Sequence, residues 1–476
     1  MTPSDHNYVN DHDARVNQKT VEHADLIGRS DIILQSGNLE EAASNHGSTT
    51  LTDENGQGIN SELGSKKFRY QSYMIVAAGF MCNFIIFGFA FTFGVFQDFY
   101  LSKGGPLYGK PVATVSIIGT LATSLTYMVT IGNNVLQHFF SIQQTMLFGS
   151  LLMAMGLISA SWAQEIWQFA LSQGVMFGIG GSLTYLPAIV HAPPYFSAHR
   201  GIAMGILFSG TGIGGLALAP LTRYLITRYG WQWALRICGI ITFVCLLPAT
   251  FLVHPHPSYV ATHKIKSAKI EVLHLNMSLV TSKKFIFHMT GALLQSAGYL
   301  IPGYYMSSYG QTLGFSSNEG AVFIGINNAV NAVSKVIVGY FADNFGRLNM
   351  LLCCCFLSAV TVFALWLVST RGTLIAFVIL YGVVSGPIIS LLPTCMVELF
   401  GVQHYQSSTW SLYFCRGVGT FLGSPVAGSL IKHGGSSAHD YQNAIIYNGI
   451  LFVANFLCFT YVRAILASEN NWKIRQ

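Results

Sequence analysis

The sequence predicts an all-α membrane protein with twelve transmembrane helices in two six-helix bundles. Three observations predict this fold: a scarcity of charge, apolar runs of membrane-spanning length, and one long polar interruption near the middle of the chain. Of the 476 residues, 9% are charged and 51% are apolar, and the mean hydropathy is +0.47. Soluble domains carry about 25% charged residues. Eleven of the nineteen acidic residues precede Lys66, which leaves only eight for the rest of the chain. A surface with so little charge is not expected to face water, so lipid is expected to surround most of this part.

The apolar runs are each about twenty residues long, enough to cross a hydrocarbon core of about 30 Å. The predicted spans lie at 72–97, 112–135, 143–162, 166–190, 200–225, 231–253, 285–309, 319–341, 348–369, 373–397, 406–431 and 443–466. The predicted organisation is a disordered cytosolic tail over 1–69, an N-terminal bundle over 70–253, a cytosolic central loop over 254–284, a C-terminal bundle over 285–466 and a cytosolic tail over 467–476.

The basic residues predict the orientation of these spans. They are concentrated in three places: before the first span (Lys66 and Lys67), in the central loop (Lys283 and Lys284 among others) and at the C-terminus. Since basic loops stay in the cytosol, both termini are expected to be cytosolic. The protein is expected to be a multi-pass protein of the plasma membrane, with the vacuolar membrane as the alternative.

A compact motif at the cytosolic end of the eighth span predicts a gate. Gly339 lets a neighbouring helix approach closely, Asp343 can pair with cationic groups across a gap between helices, and Gly346 permits a tight turn before Arg347. Together with Arg200, at the start of the fifth span, these residues are expected to open and close one end of the molecule.

The same motif carries a resemblance. The pattern over 339–347 resembles the signature of the major facilitator superfamily, and the stretches 195–215 and 230–237 resemble fungal monocarboxylate-porter homologues, a group that includes riboflavin carriers. The resemblance covers most of residues 70–466 and implies a two-bundle transporter that works by alternating access. The segment 68–73 departs from the acidic, glycine-containing start that is common in the family.

Two basic residues lie inside predicted spans. Lys335 is in the eighth span and Arg416 is near the middle of the eleventh. An ionised group there costs at least about 2.5–3.5 kcal/mol, so a functional role is expected. Arg236 is closer to a helix end, where a side chain that reaches the membrane surface is equally expected. All eight acidic residues after Lys66 fall at helix ends or in loops. The excess of buried positive charge therefore favours an anionic substrate, held bidentately by Arg416 and by Lys335 as a point charge.

A polar stripe accompanies Lys335. Asn327, Asn331 and Lys335 are spaced four residues apart and share one helix face. This face is expected to line a central cavity, with an interhelical hydrogen-bond network as the alternative. Four further side chains complete the predicted substrate site: Asn83, Tyr185, Gln295 and Tyr299.

The resemblance also bears on energy coupling. Proton-linked members of the family commonly carry Asp where Asn331 stands and Arg where Lys335 stands. An amide cannot titrate, so facilitated diffusion is expected rather than proton cotransport.

The predicted function is thus secondary transport of a small, monocarboxylate-like organic anion. The sequence leaves two alternatives open, a carrier of riboflavin or another planar solute, and a non-transporting nutrient receptor. It contains no H-E-x-x-H, G-x-S-x-G or Walker-type motif, which argues against an enzyme or an ATP-driven pump. No cofactor, metal or nucleic acid is expected; the expected partners are the solute and the lipid bilayer, and the protein is expected to be monomeric.

Overall fold

The computed structural model describes residues 57–196, 199–254, 277–432 and 435–469. Residues 1–56 of the predicted tail, most of the predicted central loop and the last residues of the predicted C-terminal tail lie outside this part. The chain divides at Lys66, and every contact given below lies within Lys67–Gln476. All regular elements of the described part are helices.

The N-terminal half supplies helices for the first six predicted spans. They are α1 Gln57–Leu101, α2 Val112–Met128, α3 Thr130–Phe139, α4 Ile142–Ala160, α5 Ile166–Phe169, α6 Phe177–His191, α7 Arg200–Tyr229 and α8 Trp231–Leu252. The second span is interrupted at Val129, between α2 and α3. The fourth is interrupted by a π-helical turn over Ala170–Met176, between α5 and α6. Such turns insert an extra residue into the helical ladder and often occur at functional sites.

The C-terminal half supplies the other six. They are α9 Met277–Val280, α10 Lys283–Tyr299, α11 Ile301–Thr312, α12 Ser317–Phe345, α13 Arg347–Thr361, α14 Arg371–Ser429 and α15 Gln442–Glu469. A π-helical turn over Val362–Trp366 extends α13. The long α14 contains both the tenth and eleventh spans, which are separated at Gly401, where φ is +73°. Only glycine adopts such a φ without strain, so this residue sets the corner between the two spans.

The helices agree with the predicted membrane protein. Within the described residues, nine helices are long and apolar enough to cross a membrane, and Thr114–Met128 is a shorter apolar helix. Helical segments occupy each of the twelve predicted spans. The all-α membrane fold is confirmed, and the count of twelve spans is consistent with it. Three predicted spans are not among the nine. The second and seventh are each divided into two shorter helices, and the eleventh is the part of α14 that follows Gly401.

The first helix begins earlier than expected. The sequence predicts a span from residue 72 and a disordered tail to residue 69, whereas α1 starts at Gln57. Hydropathy marks only the part of a helix that lipid surrounds. Once an apolar span has nucleated a helix, each further residue adds one hydrogen bond, so the helix can continue into polar sequence.

Two hydrophobic cores correspond to the two predicted bundles. The first contains buried residues from Ile75 to Val253 together with Ile389, Trp410 and Tyr413. The second contains buried residues from Phe285 to Leu466. The two cores are consistent with a division into two bundles, and the three additional side chains are the places where α14 packs into the N-terminal core.

Glycines bring the two halves into backbone contact along α7 and α12, the fifth and eighth spans. A methyl group built on Gly201 would lie 2.4 Å from the carbonyl oxygen of Gly339, and one on Gly205 would lie 2.4 Å from that of Lys335. Lipid gives no hydrophobic drive for helix pairing, so small residues that allow close approach decide where helices meet. The α7–α12 contact therefore fixes the seam between the halves.

Candidate functional site

A cavity lies between the two halves, close to the α7–α12 seam. In this conformation the cavity is small: its volume is about 20 Å³, which leaves room for about one water molecule. Its wall contains residues of both halves: Asn83, Phe87, Phe91, Thr123, Tyr127, Tyr185, Phe208 and Thr211 from the first, and Ser296, Tyr299, Leu300, Ile389, Arg416 and Thr420 from the second. Four of the predicted substrate-site residues, Asn83, Tyr185, Tyr299 and Arg416, are among them.

Arg416 is the charged residue of this wall. It is 1% exposed, and its Nε donates a hydrogen bond to Ser296 Oγ at 3.0 Å. The guanidinium carbon lies 4.8 Å from the ring centre of Tyr127 and 5.4 Å from that of Tyr413. Within the described residues its Nη1 has no hydrogen-bond partner. A buried donor of this kind is costly unless a ligand satisfies it, so the geometry suits an oxyanion approaching the free edge of the guanidinium.

An aromatic cluster holds this guanidinium. The rings of Tyr127 and Tyr413 are stacked with their centres 5.7 Å apart, and Tyr185 meets Tyr413 edge to face at 5.7 Å. Phe87 meets Tyr185 edge to face at 5.1 Å. These ring geometries are favourable, and ring faces also attract the positive charge of Arg416. The cluster joins both halves, because Tyr413 and Arg416 belong to α14 and the other three rings to the N-terminal half.

Lys335 lies one layer behind the cavity wall. It is fully buried, and its Nζ donates to the carbonyl oxygen of Phe208 at 3.2 Å and to Thr211 Oγ1, both on α7. Lys335 and Arg416 are close enough for their charges to repel. Among the ion pairs of the described residues, none joins either cation to an acidic side chain. The field at the cavity is therefore positive.

The rest of the predicted stripe also lies outside the wall. Asn331 Nδ2 donates to Tyr299 Oη at 3.1 Å, and a methyl group built on Gly386 would lie 2.5 Å from that nitrogen. Asn327 packs beside Gly382 in the same way, and its Oδ1 has no partner in the described part of the chain. The three residues of the stripe meet neighbouring helices rather than open space: Asn327 and Asn331 meet α14 and α10, and Lys335 meets α7. The interhelical network that the sequence left as an alternative describes Asn331 better.

The other candidates divide between the wall and its surroundings. Tyr185 and Tyr299 contribute rings to the wall, and Asn83 contributes an amide. Gln295 is fully buried but is not a wall residue; its Oε1 accepts a hydrogen bond from Ser296 Oγ at 3.3 Å. Gln295 therefore supports the serine that holds Arg416 instead of facing the cavity.

The predicted gate residues converge at one end of the seam. The carboxylate of Asp343 on α12 accepts hydrogen bonds from the backbone N–H groups of Gly201 at 2.8 Å and Ile202 at 3.0 Å. These are unsatisfied N–H groups in the first turn of α7, where a negative charge is favourable. Arg347 donates to Asp343 at 2.9 Å and to Glu398 at 2.7 Å. Asp343 thus ties the two halves together at this end.

Arg200 and the two motif glycines complete this end. Arg200 begins α7, and its Nε donates to the carbonyl oxygen of Pro193 at 3.1 Å. Gly339 forms the backbone contact with Gly201, and Gly346 ends α12 with a φ of +94°. The two glycines therefore provide the close contact and the turn that their residue type suggests. Asp343 differs from the expectation: across the gap it meets backbone N–H groups of α7 rather than a cationic side chain, and its cationic partner Arg347 lies four residues later in the chain.

Replacing Asp343 by asparagine is expected to weaken the seam. The change keeps one side-chain oxygen but removes the charge that caps α7 and pairs with Arg347, at a cost of about 1–2 kcal/mol. We expect a lower thermal unfolding temperature in detergent. Asn344→Ala is the matched control, because Asn344 is exposed and bonds only to its own helix. Equal unfolding temperatures for the two variants would contradict the assignment.

Several residues of the site, either in the cavity wall or packed against Arg416, were not singled out from the sequence. The two tyrosines nearest to Arg416 illustrate the reason. Tyr413 lies three residues before Arg416 on the same helix, so its proximity could have been read from the spacing. Tyr127 comes from α2, and nothing in the sequence connects it with Arg416. The same holds for Phe87, Phe208 and Thr211, which only the assembly of helices brings to the wall.

Comparisons with known proteins agree with this architecture. The sequence model of the Major Facilitator Superfamily matches residues 73–424, with a second match over 326–474. The MFS-type transporter pynF of Aspergillus niger is 29% identical over 372 residues, covering 78% of this chain and 84% of that protein. The agnestins efflux protein of Paecilomyces divaricatus is 25% identical over 390 residues, covering 82% and 88%.

A solved structure shows the same fold. The crystal structure of the human organic anion transporter TETRAN has a TM-score of 0.60, with 13% sequence identity, and the similarity covers 82% of this chain and 99% of that one. At this identity the likeness concerns the fold alone.

Proposed function

This chain belongs to the Major Facilitator Superfamily, and on that premise we propose that it is a secondary transporter of small organic anions that works by alternating access. Its relatives are membrane transporters rather than enzymes, and the chain is an integral, multi-pass membrane protein of this class. The nature of the solute, the coupling mechanism and the membrane are part of the proposal.

One observation carries the choice of an anion. Arg416 lies in the cavity between the halves with an unpaired Nη1 and without an acidic partner among the described residues. Removing a cation from water costs several kcal/mol when no counter-charge replaces the water. A carboxylate on the solute would supply this charge, and the guanidinium fork matches its geometry.

Lys335 has a second role in this proposal. It adds positive field behind Thr211, and its bonds to Phe208 and Thr211 cross the seam between the halves. When the halves separate at this point, these bonds must break and the ammonium group becomes available to the solute. Lys335 would thus contribute to binding in one conformation and to closure in the other.

The remaining predicted residues are assigned by their positions. Asn83, Tyr185 and Tyr299 would contact the solute directly, while Asn327, Asn331 and Gln295 would hold the wall. The gate residues would close one end of the cavity, and the distribution of basic residues predicts that this end faces the cytosol. These residues are Asp343, Arg347, Gly339, Gly346 and Arg200. The plasma membrane and a monomeric state remain predictions.

We propose facilitated diffusion as the mode of transport. In the described part of the chain neither cavity cation contacts a carboxylate, and Asn331 cannot titrate. Carboxylate uptake into proteoliposomes is therefore expected to change by less than about twofold when an inward proton gradient is imposed. Potassium and valinomycin should clamp the membrane potential, and protein-free vesicles give the background. Stimulation of several-fold would show proton coupling and reject the facilitator assignment.

The same assay tests the proposal as a whole. A panel of mono- and dicarboxylates and riboflavin distinguishes the candidate functions. Carboxylate flux above background supports the anion carrier. Flux of riboflavin alone would favour a carrier of neutral planar solutes, for which the aromatic wall is the supporting observation. Binding of a solute without flux would indicate a nutrient receptor.

A further inference from the structure

The cavity offers a hydrogen-bond acceptor as well as the donor of Arg416. Asn83 on α1 is fully buried and belongs to the wall. Its Nδ2 donates to the carbonyl oxygen of Gly79 at 2.8 Å, one helical turn earlier, while its Oδ1 has no partner within the described residues. Turning the amide over would bring two oxygens together at Gly79. The unpaired atom is therefore the oxygen.

This acceptor is held in place by close packing. A methyl group built on Gly210 of α7 would lie 2.3 Å from the carbonyl oxygen of Phe80 and 3.2 Å from the Cβ of Asn83. The bond to Gly79 fixes the amide plane, and α7 leaves the side chain little room. A fixed polar atom of this kind gives specificity, because it cannot turn away when a ligand fails to satisfy it.

Flat aromatic surfaces make up much of the remaining wall. Phe87, Phe91, Tyr127, Tyr185, Phe208 and Tyr299 together account for six of the fourteen wall residues. Aromatic walls favour flat ring systems, which can stack or meet them edge to face. The cavity thus combines aromatic surfaces with one unpaired donor from α14 and one unpaired acceptor from α1.

From these features we infer that the transported solute is an aromatic carboxylate that also carries a hydroxyl or N–H group, which donates to Asn83 while the carboxylate binds Arg416. The inference rests on the proposed anion transport and narrows its substrate class. It also assigns Asn83 a distinct role as a specificity-determining residue. Because Asn83 and Arg416 come from different halves, such a solute would bridge them.

Matched ligands test this inference on the unmodified protein. We would compare 2-naphthoate, 6-hydroxy-2-naphthoate and 6-methoxy-2-naphthoate in proteoliposomes, with the one-ring series benzoate, 4-hydroxybenzoate and 4-methoxybenzoate as a second size class. Methylation removes the donor and keeps the ring. The KM of the hydroxy acid is expected to be at least about tenfold lower than that of the methoxy acid in the preferred size class.

The variant Asn83→Leu tests the residue itself. Leucine has nearly the same shape but no acceptor, so the ratio of the two KM values should fall to about one. An unchanged ratio in this variant, or equal KM values in the wild-type protein, would overturn the inference while leaving anion transport in place. Transport of lactate or malate without any aromatic acid would do the same. If no carboxylate is transported at all, the proposed function fails and the inference fails with it.

Discussion

Arg416→Gln is expected to lower carboxylate transport by about 30-fold or more. The substitution keeps a polar side chain but removes the charge and the fork that would hold the carboxylate. Removing one partner of a buried, hydrogen-bonded charge pair costs about 2–5 kcal/mol, and each 1.4 kcal/mol corresponds to a factor of ten. The measurement is initial flux in proteoliposomes, normalised to the amount of inserted protein.

Two further variants separate charge, geometry and general packing. Arg416→Lys keeps the charge without the fork, so its flux should lie between those of the wild type and Arg416→Gln. The matched control is Arg236→Gln. Arg236 also lies over aromatic rings, at 4.7 Å from Trp162 and 4.9 Å from Trp233, and its Nε donates to Ser161 Oγ at 3.0 Å.

Arg236 is therefore chemically similar to Arg416 but is not a residue of the cavity wall. We expect Arg236→Gln to retain flux within about twofold, as for an arginine that packs at a helix end. Equal losses in Arg236→Gln and Arg416→Gln would mean that both arginines only stabilise the bundle. The anion site at Arg416 would then be refuted.

The second large effect is expected for Gly205→Ala, which should reduce flux by about tenfold or more. The new methyl group would lie 2.4 Å from the carbonyl oxygen of Lys335 and 3.1 Å from the Cα of Val336. These are backbone atoms, so α7 and α12 must move apart. Alternating access requires the halves to close at this seam in one of the two conformations. If the seam is held open, the solute can still bind, but the change to the conformation with a closed seam is impeded.

Gly94→Ala is the control for this variant. Gly94 lies in α1 with nothing within 4 Å of a built methyl group. Both substitutions improve intrinsic helix propensity by up to about 1 kcal/mol, so a loss confined to Gly205→Ala cannot come from the helix itself. Flux and equilibrium solute binding should be measured on both variants. Normal flux in Gly205→Ala would show that the close contact is not part of the transport cycle.

Part of the candidate site could be anticipated from the sequence. Arg416 stands out because an unpaired charge in an apolar run is expensive, and that cost does not depend on the fold. Asp343 and Gly346 stand out because their local chemistry, a carboxylate near a helix end and a glycine suited to a tight turn, can be recognised without a partner. The position of Lys335 illustrates the limit: its burial follows from the sequence, but its bonds to Phe208 and Thr211 do not.

The sequence by itself determined that lipid surrounds most of the protein. It also determined the helical spans, the two halves and the sign of the buried charge. All of these follow from transfer free energies and helical periodicity along the chain. Only the tertiary structure decided which faces meet the cavity, that Tyr127 and Tyr413 hold Arg416, and that Lys335, Asn331 and Gln295 lie behind the wall. Periodicity says which residues share a face of a helix, but the neighbour of that face depends on close packing between distant segments, such as Gly205 against Lys335.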